Sequence, residues 1–128
     1  MKTIFNIQAM LLACLLAATA PVVAHDESGH APRFGGVVVE TKAGDVEIVA
    51  KTTSIKIYVS DHGKSVNLVG AKAKITLLNG TEKSETDLVV VGDKLEVKGT
   101  FAIAKGTKGI AFVTLNGKPT TTARFEIK

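Results

Sequence analysis

From Gly36 to the C-terminus the chain is a succession of short β-rich runs, each stopped by a turn pair, and no interval between them carries a helical period. The clearest run is Ile55-Lys56-Ile57-Tyr58-Val59, where Ile55, Ile57 and Val59 alternate with Ser54, Lys56, Tyr58 and Ser60. Period two is the pattern of a strand with one face buried and one face wet. The other runs are Val37–Glu40, Val46–Ala50, Ala71–Leu78, Glu85–Val91, Leu95–Ile103, Ile110–Leu115 and Ala123–Ile127. Between them lie Ala43-Gly44, Asp61-His62-Gly63-Lys64, Asn79-Gly80, Gly92-Asp93, Lys105-Gly106 and Asn116-Gly117. Asn-Gly is a strong hairpin signal because both residues tolerate positive φ. About eight strands at regular spacing predict an all-β fold, an antiparallel immunoglobulin-like β-sandwich, with a small β-barrel as the alternative. The alternating positions Ile55, Ile57, Val59, Ile75, Leu77, Leu95, Val97, Phe101, Phe112 and Phe125 are the expected core. Lys72 and Lys74, which alternate with Ala71, Ala73 and Ile75, mark a wet face.

Ahead of the strands the composition changes twice. Residues 1–24 hold Lys2, a long apolar stretch and Val22-Val23-Ala24, where small residues at Val22 and Ala24 make a signal-peptidase site. Cleavage there leaves residues 25–128, one domain's worth, in the periplasm or outside the cell. Leu11-Leu12-Ala13-Cys14 also fits a lipoprotein box, but the apolar run continues to Val23, where a lipidated chain would turn polar. A retained anchor is disfavoured because the run barely reaches the ~18–20 residues needed to span a bilayer and Pro21 lies near its end. Residues 25–36, HDESGHAPRFGG, form a polar, flexible leader, and residues 37–128 form the β domain. Gly35 and Gly36 let the leader bend into the first strand.

Cys14 is the only cysteine, so processing after Ala24 removes disulfides, thiol nucleophiles and thiolate metal sites together. The precursor's net charge is +4, and loss of Lys2 lowers it to +3. The lysines are dispersed, aromatic residues are 5% and there is no Trp, which argues against a nucleic-acid surface. There is no G-x-S-x-G, no phosphate loop, no dinucleotide fingerprint and no nucleophile–base–orienter set, so an enzyme is not expected.

The histidines are the chemistry on offer: His25, His30 and His62. Imidazole suits Cu, Zn and Ni. If His25 becomes the N-terminus, its free amine and ring nitrogen form a chelate that an internal histidine cannot make. Asp61 and His62 add a carboxylate and an imidazole from one loop, and His30 is a weaker candidate. The expected metal is Cu(II) or another divalent transition metal. Asp26 and Glu27 are solvating charges. Asp45 and Asp93 are turn residues beside glycine. The other reading is a metal-free interaction module of the cell envelope, with Tyr58 as one exposed contact.

The segments HAPRFGGVVVE, VEIVAKTTSIKIYVSDHGKSVNLVGAKAKITLLNGTEK, KGTKGIAFVTLNGKP and ARFEIK resemble small secreted proteins of Gram-negative bacteria, mostly uncharacterised. Related segments resemble accessory domains of heavy-metal efflux adaptors, in which a His-x-Pro-x-His-Gly-Gly leader precedes the first strand. The resemblance covers nearly the whole mature chain. It implies the fold, an envelope location and a link to heavy-metal resistance, with a metal ion or an envelope or efflux protein as partner. Here Phe34 stands where that leader has a His, so the leader offers fewer ligands.

Overall fold

The computed structural model describes residues 31–128 and is all-β. The strands are β1 (Val37–Thr41), β2 (Gly44–Lys51), β3 (Ser54–Asp61), β4 (Lys64–Ser65), β5 (Lys72–Asn79), β6 (Glu82–Val91), β7 (Lys94–Lys98), β8 (Lys108–Thr114) and β9 (Thr121–Glu126). Every pairing is antiparallel, in the order β1-β2-β3-β7-β6-β5-β8-β9, with β4 added on β3. Strands β5, β6 and β7 are joined by hairpins, and β8 returns to lie beside β5, which is a Greek key.

The path is continuous because β6 serves two ladders. Its residues 82–88 pair with β5 and its residues 89–91 with β7. The ends β1 and β9 then come side by side with no ladder between them. The sheet is therefore all-β and a nearly closed barrel, the alternative to the immunoglobulin-like sandwich that the strand spacing first suggests. Near-closure protects strand edges that would otherwise offer unpaired backbone groups. A turn falls at Gly92-Asp93 as expected, whereas the turn expected at Asn79-Gly80 lies one residue on, at Gly80-Thr81, because Asn79 still pairs with Glu82. The expected run Leu95–Ile103 is strand only to Lys98, after which residues 99–103 form a loop.

The core follows the alternation. Ile55, Ile57, Val59, Ile75, Leu77, Leu95 and Phe125 are buried, and Val97 and Phe101 pack against them half-buried. Phe112 is a correction. In β8 the buried residues are Gly109, Ala111 and Val113, so Ile110 and Phe112 face outward, where Phe112 lies between Lys74 and Thr122. Both faces of β8 carry apolar residues, so alternation alone could be read in either phase. Volume decides it: Phe125 stands opposite Gly109, and its ring occupies the space a side chain there would need.

Outside the barrel, Lys74 and Lys83 each lie 3.5 Å from a carboxylate oxygen of Glu85. Lys74, and then Lys83, hold the Glu85 carboxyl below its ordinary value of 4.5. A lowered folded-state value means that the stabilisation is complete above the unfolded value and is lost as pH falls through the folded one. Glu85→Gln should therefore lower stability slightly at neutral pH, with a difference that shrinks toward the acid end and in high salt. Urea midpoints of the two proteins across pH 2–7, an order-of-magnitude bracket around carboxylate titration, check this; a constant difference would exclude the ion pairs as its source.

Candidate functional site

Four successive residues of β2, Val46 to Val49, are buried, although a strand of a small barrel has one face toward solvent. Val46 and Ile48 point into the core. Glu47 and Val49 are on the opposite face and are covered from outside by the segment that precedes β1.

Glu47 organises that cover. It is 5% exposed, and its carboxylate accepts three backbone hydrogen bonds. Arg33 N–H donates to Oε1 at 2.7 Å, and Phe34 and Gly36 N–H donate to Oε2 at 2.7 and 3.0 Å. A buried carboxylate needs such partners, because an unpaired charge away from water is strongly unfavourable. Tyr58 is the cross-strand partner of Glu47 on the same face. The Phe34 ring stacks on Tyr58 with centroids 3.7 Å apart and planes 11° from parallel. Gly36 passes so close to the Ile48 carbonyl that a Cβ would collide with it. Residues 31–36 thus form a strap across the outer face of β2 and β3, without strand pairing of their own.

The strap reaches the β3–β4 hairpin, where the Arg33 Nη2 donates to the Gly63 carbonyl. Asp61 pairs with Lys64, leaving His62-Gly63 as a two-residue turn. Both turn residues have positive φ, +49° at His62 and +79° at Gly63, the backbone that lets a hairpin follow the twist of its strands. Glycine takes this conformation freely; a histidine there is uncommon. His62 Nδ1 lies 2.7 Å from Asp61 Oδ1, and the imidazole is 95% exposed. A proton on Nδ1 donated to Asp61 leaves Nε2 as the outward lone pair, the arrangement by which carboxylates orient metal-binding histidines.

Of the expected site residues, the structure places Asp61 and His62 in contact. His25 and His30 lie outside the described residues, as does the segment 1–24. Among the described residues no group of three or more His, Cys, Asp and Glu is placed to hold a metal ion. Tyr58, expected as an exposed partner contact, is half-buried beneath Phe34. Glu47 was not legible as a site residue: between Val46 and Ile48 it has the alternation of an ordinary wet-face charge. No family model, curated protein or solved structure matches this chain.

Proposed function

We propose that the processed protein is a periplasmic, non-enzymatic β-barrel protein that binds or buffers a transition metal, with Cu(II) the best chemical fit. His25 supplies amine and imidazole as an N-terminal chelate, His62 supplies Nε2, Asp61 orients the His62 ring and His30 is an accessory ligand. The observation that carries the reading is the Asp61–His62 pair at 2.7 Å on an exposed hairpin tip. A histidine in the left-handed region is a reason to look for a role, because local conformational cost tends to persist where function requires it. The sequence resemblance to segments of heavy-metal efflux adaptors agrees with this assignment and makes an efflux protein a candidate recipient. The second reading, an envelope interaction module without metal, draws on exposed Val89 and Val91 on β6, 65% and 43% accessible.

The test begins with the intact mass of secreted protein, expected to start at His25; a lipidated chain starting at Cys14 would remove the N-terminal chelate. Copper titration then compares this protein with a version extended by one residue. The extension turns the amine into an amide and should weaken binding sharply. His62→Ala should weaken it less and His30→Ala least. Affinity should fall as pH drops through the ordinary imidazole range near ~6.5, because protons compete for the ligand nitrogens. Equal affinity with and without the added residue would reject the chelate. Absence of binding in both would leave the interaction module.

A further inference from the structure

One edge of β6 is used along only part of its length. With β5 the strand pairs through residues 82–88, and the two-residue turn Gly80-Thr81 makes Asn79–Glu82 the closing hydrogen-bonded pair. Alternation along the ladder then turns the backbone N–H and C=O of Lys83, Glu85 and Asp87 to the opposite edge. Val89 and Val91 use that edge to pair with β7. The earlier residues do not, because beyond Glu96 the chain leaves β6: Val97 and Lys98 pair with β3 only, and Gly99 and Phe101 N–H donate to the Thr53 and Thr52 carbonyls. Among the described residues no backbone hydrogen bond reaches this edge between Lys83 and Asp87. Beside it runs a groove of about 540 Å³, lined by Leu77, Asn79, Ser84, Thr86, Thr100 and Phe101 among others. Ser84 is the cross-strand partner of buried Leu77 and shares its inward face, yet it is exposed. The sheet is therefore uncovered at this point, and hydroxyl-bearing side chains, not only apolar ones, line the opening.

We propose that the β6 edge from Lys83 to Glu85 pairs with the same edge of a second copy of this chain, antiparallel and with Ser84 on the two-fold axis, so that one sheet runs through the dimer. Charge selects both the occupant and the register. A two-fold interface must be complementary to itself. Only Lys83, Glu85 and Asp87 turn backbone groups to this edge, so the axis falls on a residue and not between two. An axis on Lys83 or on Glu85 sets that side chain against its own copy, and an axis on Thr86 sets Glu85 against Asp87. An axis on Ser84 sets Lys83 of each copy opposite Glu85 of the other, and Ser84 meets Ser84 over the groove. Directly opposed unlike charges favour a strand pair and like charges oppose it. Charged side chains on an edge ordinarily discourage pairing; here their signs alternate at the one spacing that a two-fold axis can match. Lys83 and Glu85 already lie 3.5 Å apart within one chain, so the second copy extends an existing ion pair into a network. This dimer does not depend on metal binding.

The test is charge exchange, read by analytical ultracentrifugation of the processed protein. Wild type should show a concentration-dependent equilibrium between monomer and dimer. Lys83→Glu and Glu85→Lys should each weaken dimerisation by about tenfold or more, since each sets like charges opposite one another twice. The double variant carrying both changes restores unlike pairs and should dimerise like wild type. An equimolar mixture of the two single variants should form a heterodimer at a concentration where neither pairs with itself. Hydrogen exchange of wild type supplies a second readout. The amides of Lys83 and Glu85 should slow as concentration rises, whereas that of Val89, already paired with β7, should not change. Far-UV circular dichroism establishes that each variant is folded; if Glu85→Lys is not, Lys83→Glu and the wild-type exchange carry the test. A wild type that stays monomeric at every concentration would overturn the proposal. So would a dimer that tolerates Lys83→Glu, or one whose Lys83 and Glu85 amides exchange as in the monomer, since its contact would lie elsewhere. Failure of the double variant to recover would overturn the register centred on Ser84.

Discussion

Phe125→Ala should destabilise the domain by about 3–5 kcal/mol, the usual cost of emptying a phenylalanine site in a packed interior, whereas Phe112→Ala should cost about 1 kcal/mol or less, the scale of one cross-strand side-chain pair. The two residues look equivalent along the chain, each within a β-rich run. Their surroundings differ. Phe125 is 7% exposed and belongs to the core cluster with Ala111, Val113 and Ala123. Its ring also covers Gly109, which has no side chain to relax into the space that truncation would leave. Phe112 is half-buried and looks outward between Lys74 and Thr122, so its truncation opens to solvent rather than leaving a sealed cavity. A domain of this size has roughly 5–15 kcal/mol of stability in all, so Phe125→Ala uses up a large fraction of it. Urea unfolding of both variants decides the matter. Equal midpoint shifts would mean that the phase of β8 or β9 is other than described.

Glu47→Gln should lower stability by about 1–3 kcal/mol, the range for leaving buried polar groups without partners. Glutamine is nearly the same size, so packing is not the reason. Its amide has one acceptor oxygen, and the other end is a donor. The strap presents N–H groups to both carboxylate oxygens, Arg33 to Oε1 and Phe34 and Gly36 to Oε2. Either orientation of the amide therefore sets donor against donor. The loss should be local as well as global: amide exchange at Arg33, Phe34 and Gly36 should accelerate far more than exchange at the core residues Ile57 and Ile75. Unchanged protection of the three strap amides in Glu47→Gln would show that the carboxylate is not what holds the strap.

The candidate site is less evenly legible. Asp61 and His62 could be nominated from residue type alone, since a carboxylate beside an imidazole within a loop is visible in the chain. That Asp61 bonds the ring Nδ1 rather than pointing elsewhere is a matter of hairpin geometry, set by positive φ at both His62 and Gly63. Glu47, Tyr58 and Arg33 could not be nominated together. They lie on three separate segments, and neither charge nor spacing marks Glu47 apart from exposed acids such as Glu82.

Local pattern determined the strands and most of their facing. The alternation through Ile55, Ile57 and Val59, and through Lys72, Ala73, Lys74 and Ile75, survives in the structure because a pleated strand has an intrinsic period of two, whatever it packs against. The turn after Asn79 is likewise local, since it depends on the positive φ that Gly80 adopts without a Cβ. Tertiary structure alone decided the rest. Near-closure of the barrel depends on β7 pairing with β3 and β8 with β5, pairings between segments that the chain order does not dictate. The facing of β8 depends on Phe125 filling the space over Gly109, a constraint that exists only once β8 and β9 are side by side. The burial of Glu47 depends on three N–H groups from residues 11 to 14 positions earlier. Period and turn chemistry act over neighbouring residues; core volume and the pairing of buried charge are settled only between segments brought together by the fold.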